Sequence, residues 1–186
     1  MQPSIVLASG SPRRKELLEQ LGYQFSIIRT DVEELRRSEE SAFEYVSRLS
    51  QDKALAGVVL EPNSIVIGSD TIVVCDQTVL EKPNDYEHAK QMLMQLSGRA
   101  HQVMTAVTVA NKQNQETVVV TTDVWFKPLS EQEIKQYWQS GEPCDKAGSY
   151  AIQGIGGRFV TRIEGSYYAV VGLPLFETDQ LLHKFL

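Results

Sequence analysis

Leu7-Ala8-Ser9-Gly10-Ser11-Pro12-Arg13-Arg14 decides how this chain is read. The apolar run Ile5-Val6-Leu7 leads into it and reads as a short buried strand. Behind it, Leu17, Leu18 and Leu21 share one helix face, since residues three or four apart line one side of a 3.6-residue turn. Ser11 suits the N-cap, Pro12 the first helical position and Gly22 the stop. The motif is therefore strand, small-residue loop, helix. Its first helical turn carries Arg13 and Arg14, although a helix N-terminus is already partly positive. An anion on the loop amides and both guanidiniums would remove that repulsion. The plain alternative is that both arginines point into solvent. No Gly-Lys-Ser/Thr follows, so the loop is not of the Walker type.

A length of 186 residues suits one domain or two small lobes. The net charge of −6 argues against a general nucleic-acid or membrane surface and makes a basic cluster more informative. The start Met-Gln-Pro-Ser lacks a signal-peptide pattern. No apolar run approaches the ~20 residues needed to span a bilayer. Cys75 and Cys144 form no metal or redox spacing, and His88, His101 and His183 are scattered. The expectation is a reduced, cytoplasmic protein with no nucleic-acid or membrane partner.

Outward from the opening motif, Tyr23 to Arg29 reads as a second strand. Asp31, Glu33 and Glu34 follow in a polar stretch, and Ser41 to Glu44 fits a capping box. Phe43, Val46, Leu49, Lys53 and Ala56 then step by three or four. Lys53 falls near the apolar face, where it either snorkels at the core edge or reaches into a cleft. In Ser64 to Cys75, two apolar runs flank Gly68-Ser69-Asp70-Thr71. An Asp there is costly unless partnered. It is either a turn residue bonding its own backbone or a metal-binding or water-activating carboxylate at a strand end.

Asp76-Gln77 reads as a hairpin turn, and Glu81-Lys82-Pro83 breaks the returning strand, leaving Lys82 at its end. Asn84 with Glu87 should cap a helix with Tyr86, Ala89, Leu93 and Leu96 inward. Gln102 to Ala110 and Thr117 to Phe126 read as a central pair of long strands, and Ser130 with Glu133 opens another helix. Pro143 to Gly157 is glycine-dense, contains Asp145, Lys146 and Gln153, and reads as a bulged strand pair with flexible turns. Phe159 to Ile163 and Tyr167 to Val171 suggest a last hairpin. A helix from Pro174 would pack Leu175, Phe176, Leu181 and Leu182.

Arg13, Arg14, Lys53 and Lys82 are the cations out of pattern, and Glu33 and Asp70 the anions. Most lie at strand ends or loop edges, where one cleft can collect them. Such a set suits a polyphosphate with a divalent ion held through carboxylate oxygens. Any α/β domain offers a few such residues by chance.

Leu-Ala-Ser-Gly-Ser-Pro-Arg-Arg, Gly-Ser-Asp-Thr-Ile-Val, Leu-Glu-Lys-Pro and Asp-Lys-Ala-Gly-Ser-Tyr-Ala-Ile-Gln-Gly together resemble the Maf family, from Leu7 to the Gly-Leu-Pro at 172–174. The resemblance implies a single domain over residues 1–186, related in fold to inosine triphosphatases. Its α/β architecture would be a central mixed, strongly twisted sheet flanked by helices, with two lobes around a cleft. It implies a nucleoside triphosphate pyrophosphatase, cutting between the α and β phosphates. Asp70-Thr71 and Ala-Ile-Gln-Gly resemble the subgroup that prefers dTTP and UTP, and modified pyrimidine nucleotides are a further plausible substrate.

By the same resemblance Ser9, Arg13 and Arg14 hold phosphate oxygens, and Lys53 and Lys82 neutralise the triphosphate and leaving pyrophosphate. Asp70 accepts the proton of the attacking water and, with Glu33, holds metal: magnesium first, manganese or cobalt as alternatives. Arg13, Thr71 and Gln153 match positions linked to substrate choice. The Gln153 amide offers donors and an acceptor that complement the N3–H and carbonyls of uracil and thymine. A homodimer is expected from family habit. The rival readings are a non-catalytic nucleotide-binding regulator of septum formation in cell division, an RNA-binding domain, and a phosphatase removing only the terminal phosphate.

Overall fold

The computed structural model describes residues 1–186, and β1 (Ile5–Ala8) and α1 (Pro12–Gln20) form where the opening motif predicts. Ser11 caps α1, its Oγ accepting from Arg14 N at 3.3 Å. The chain continues as β2 (Phe25–Ile28), α2 (Ala42–Leu60), β3 (Ile65–Cys75), β4 (Thr78–Leu80), α3 (Tyr86–Leu96), β5 (Ala100–Ala110), β6 (Gln115–Phe126) and α4 (Glu131–Gln139). After three short 3-10 turns come β7 (Val160–Glu164), α5 (Tyr167–Val171) and α6 (Leu175–Phe185). The fold is mixed α/β. Seven strands form one sheet in the order β2-β1-β3-β5-β6-β7, with β4 paired to β3. β1 runs parallel to β2 and β3, and β4 and β7 are antiparallel to their partners. No helix is long and apolar enough to cross a membrane.

The chain divides into two compact units, one of residues 1–70, 105–120 and 172–186, the other of residues 71–104 and 121–171. In the first, Val6, Ala8 and Val66 pack with Ile28 and Val58. This follows from parallel strands whose faces are both covered and therefore apolar throughout. A run of hydroxyls ties α2 to the strands: Ser50 Oγ lies 2.8 Å from Thr108 Oγ1, itself 2.8 Å from Thr117 Oγ1. In the second unit, α3 and α4 bury Met92, Leu93, Leu96, Ile134 and Tyr137 against strand residues such as Val73 and Val124. Phe126, Tyr150 and Phe159 complete that core with edge-on ring contacts.

Several local expectations are corrected. Gly68 to Thr71 is no break, because β3 runs unbroken through it and Asp70 is mid-strand rather than at a strand end or in a turn. The N-cap of α3 is Asp85, whose carboxylate accepts from His88 N at 2.8 Å, while Asn84 N donates to the His88 ring. The glycine-dense segment forms 3-10 turns at Glu142–Asp145, Ala147–Ser149 and Ile155–Phe159, not a bulged strand pair. Tyr167–Val171 is a helix, not the return strand of a hairpin. Ser166 Oγ accepts from Ala169 N at its start, and five residues are too few for apolar period to separate helix from strand. Phe176 stays 71% exposed, while Leu181 and Leu182 are buried.

Candidate active site

The polar centre of the first unit is built by a close approach of α2 to β3. Gly68 and Asp70 lie two apart on the strand and share a face. A Cβ at Gly68 would stand 2.4 Å from Ser50 O and 2.5 Å from Ala54 N, so glycine there lets the helix backbone rest on the strand. Lys53, one residue before Ala54, thereby reaches Asp70. Its Nζ donates to Asp70 Oδ1 at 2.8 Å and lies 2.6 Å from Glu34 Oε1. The Lys53 and Asp70 side chains are only 15% and 13% exposed, so the attraction is poorly screened and offsets the desolvation of both charges.

Glu34 belongs to the coil between β2 and α2, and α2 holds that coil. Tyr45 Oη donates to Glu34 O at 2.9 Å and Arg48 Nη2 to Leu35 O at 2.8 Å. Arg48 also grips Glu40 through two bonds of 2.6 and 2.8 Å. Hydrogen bonding to Arg48 pulls the Glu40 carboxyl down to about 2.

Arg14 is anchored by donating from Nε to Gly172 O at 2.7 Å, and Ser69 Oγ lies 3.3 Å from the same carbonyl. Burial lowers the Arg14 pKa from its ordinary value; the charges of Asp70 and Glu34 oppose that shift and Arg13 adds to it. The guanidinium is thus within electrostatic reach of the carboxylates that hold Lys53. Ser9 Oγ accepts from Ser11 N at 3.1 Å, which tightens the loop before α1.

A cavity of about 330 Å³ opens beyond the C-terminal ends of β1 and β2, lined by Ser9, Gly10, Arg29, Thr30, Glu34 and Lys53. Its volume is within the range of small-molecule sites. Its place at the carboxyl ends of parallel strands is where open α/β sheets bind ligands.

Of the predicted site residues, Ser9, Arg13, Arg14, Glu33, Lys53 and Asp70 belong to the first unit. Arg14, Lys53 and Asp70 form one electrostatic group, and Ser9 and Lys53 line one cavity. Glu33 is exposed, and its neighbour Glu34 makes the ion pair to Lys53. Thr71, Lys82 and Gln153 belong to the second unit. Thr71 follows Asp70 on β3 and points to the opposite face. Lys82 is exposed just after β4, and Gln153 is exposed in the turn before Ile155.

The chemistry of the first unit's centre suits a cation. Two carboxylates already converge on one ammonium, and their oxygens are hard donors of the kind magnesium takes. No group of three or more His, Cys, Asp or Glu side chains gathers anywhere in the chain, so water and a ligand's oxygens would complete such a shell. Sequence reading singled out neither Glu34 nor the cavity residues Arg29 and Thr30. Arg29 ends the run Tyr23 to Arg29, and a cation closing a strand was the one available signal.

Residues 4–185 match the family model described as Maf-like protein. A dTTP/UTP pyrophosphatase of Vibrio parahaemolyticus serotype O3:K6 is 69% identical over 184 residues, covering 98% of this chain and 97% of its own. One of Aliivibrio fischeri is 64% identical over 191 residues and covers 100% of each chain. Among solved structures, the Staphylococcus aureus Ham1 protein aligns over 66% of this chain and 71% of its own at a TM-score of 0.49 and 15% identity, a likeness too slight to carry functional weight.

Proposed function

This chain belongs to the Maf family, and from that premise we propose that it hydrolyses dTTP and UTP to the monophosphate and pyrophosphate. The observation that carries the chemistry is the Glu34–Lys53–Asp70 group beside a cavity of small-molecule size. Names of relatives at 64–69% identity describe this enzyme activity, which favours hydrolysis over a purely regulatory role in septum formation.

In this reading Ser9, Arg13 and Arg14 bind phosphate oxygens, the arginines by their planar donor forks. The Lys53 ammonium covers Asp70. A bound triphosphate, more highly charged than either carboxylate, draws that ammonium to its own oxygens and frees Asp70 to accept a proton from water. Lys53 and Lys82 then offset the charge that grows on the leaving pyrophosphate. Asp70 with Glu33 or Glu34 would hold a divalent cation, magnesium first and manganese or cobalt after it, which screens phosphate charge and makes water more acidic. Thr71, Arg13 and Gln153 select the nucleotide, Gln153 by pairing its amide with the N3–H and carbonyl edge of uracil or thymine. The same reading takes the protein as a cytoplasmic homodimer without nucleic-acid or membrane partners. Two free cysteines, Cys75 and Cys144, agree with a reducing compartment.

The test is a panel of dTTP, UTP, CTP, ATP and GTP with magnesium, reading pyrophosphate. Preference for dTTP and UTP is expected; equal rates on all bases, or none, would contradict the reading.

A further inference from the structure

The glycine-dense turn that carries Gln153 is held by two side chains, Glu142 and Tyr137. The Glu142 carboxylate accepts from Ile155 N at 2.8 Å through Oε1 and from Gly156 N at 2.9 Å through Oε2. Tyr137 Oη donates to the same Glu142 Oε2, and it accepts from Ala151 N at 3.1 Å. The turn is thus bonded on both sides of Gln153: at Ala151 by the phenol, at Ile155 and Gly156 by the carboxylate. Internal bonds from Gly154 N to Ala151 O and from Gly157 N to Gly154 O close it at 3.2 and 3.1 Å.

The glycines of this segment are explained by that grip. A Cβ at Gly154 would stand 1.7 Å from Glu142 Oε1, and one at Gly156 2.6 Å from Tyr137 Oη. Only hydrogen at those positions lets the backbone settle on the two side-chain oxygens. Tyr137 is 2% exposed and stacks edge-on against Phe159 with ring centroids 5.0 Å apart, so the phenol is fixed by the core of its unit. Burial opposes ionisation of Glu142, yet the bonds from Tyr137, Gly156 and Ile155 hold its pKa below the usual carboxylate value. The carboxylate therefore stays ionised and keeps both oxygens as acceptors. Gln153, in contrast, is exposed and makes no hydrogen bond within the chain. A turn fixed this firmly around an uncommitted amide is a mount for that amide.

We propose that Glu142 and Tyr137 are positioning residues that set base selection by fixing the turn bearing Gln153. They touch neither the base nor the phosphates; they act through the backbone. The inference rests on the reading of Gln153 as the residue that meets the base.

The experiment compares Glu142→Gln, Tyr137→Phe, Gln153→Ala and the Glu142→Gln/Gln153→Ala double variant in the full chain, with circular dichroism confirming each fold. A carboxamide has one oxygen in place of two, so Glu142→Gln keeps at most part of the grip. Tyr137→Phe keeps the ring packing and removes the shared hydroxyl. The expected result for each single positioning variant is a fall of about tenfold or more in the UTP-to-CTP ratio of kcat/KM, in line with losing a hydrogen bond to a charged group. The fall comes from a raised KM for UTP, with kcat on CTP unchanged. Amides 155 and 156 exchange with solvent at least about tenfold faster. The double variant is no less selective than Gln153→Ala alone, since both changes remove one function. If Gln153→Ala collapses the ratio and neither positioning variant does, the proposal is overturned and the nucleotide reading survives. Equal losses on UTP and CTP also overturn it, marking a general structural role. If Gln153→Ala itself leaves the ratio intact, the base-reading of Gln153 fails and the proposal falls with it.

Discussion

Lys53 and Asp70 of the first unit hang on regular elements, whereas Gln153 of the second hangs on a turn. Lys53 comes from a 19-residue helix and Asp70 from an 11-residue strand. They meet because two backbones pack directly at Gly68. Gln153 comes from a segment with no ladder or long helix, fixed by side-chain oxygens of Glu142 and Tyr137. The difference matches the tasks assigned to each. Charge stabilisation needs groups that do not relax as charge develops, and packed elements supply that rigidity. Base selection needs a directional amide, and a turn held on both sides by side-chain oxygens keeps that direction.

The largest expected effect is on the first side of the comparison. Asp70→Asn should lower kcat by about 10²–10⁴-fold, the usual contribution of a positioned general base. Circular dichroism should keep the wild-type spectrum, while the thermal midpoint falls because Lys53 keeps only Glu34 as a carboxylate partner. Retention of most of the rate would remove Asp70 from the chemistry.

The second unit has its own sensitivity, to acid. His101 is 3% exposed, with Nε2 2.6 Å from Tyr150 Oη. Burial, then the Arg99 charge, lowers its pKa from 6.5 to about 4. The unfolded chain takes up this proton near pH 6.5 and the folded chain does so only near pH 4. The stability linked to a neutral His101 is therefore complete above pH 6.5 and drains as pH falls from there towards 4. The total is about 3 kcal/mol. Urea unfolding at pH 7 and pH 4.5 measures it, and His101→Gln should flatten the dependence. A wild-type curve already flat between those values would rule out the buried neutral imidazole.

Gly68→Ala tests the packed approach of α2 to β3. Overpacking should cost about 1–3 kcal/mol and should lower turnover as well, because the added methyl displaces α2, and Lys53 with it, from its place against the strand. Denaturant midpoints and kcat measured together distinguish this from a change in stability alone.

The smallest effect separates two neighbouring glutamates. Glu34→Gln should weaken manganese binding, followed by electron paramagnetic resonance, more than Glu33→Gln does, because Glu34 is the one paired with Lys53. The reverse order would return the metal-holding role to Glu33.

These contrasts also explain what could be read from the chain alone. Asp70 was legible because a carboxylate inside an apolar strand run must have a partner, and Lys53 because it breaks an apolar helix face. The opening strand–loop–helix was legible because Ser11, Pro12 and Gly22 each carry local conformational information. Glu34 was not distinguished from Glu33, since a coil has no period to say which side chain turns inward. The grip of Glu142 and Tyr137 on residues 151–156 joins parts of the chain 13 to 14 residues apart through backbone amides. Sequence showed the glycines without showing what they approach. Asp70 seemed to close a strand only because Gly68 reads as a break; its close contact with α2 shows that the glycine serves packing.

The most direct test of the account is the identity of the products. Incubating dTTP with the enzyme and magnesium, then separating products by anion exchange, should give thymidine monophosphate and pyrophosphate in equal amounts. Thymidine diphosphate with orthophosphate would contradict it.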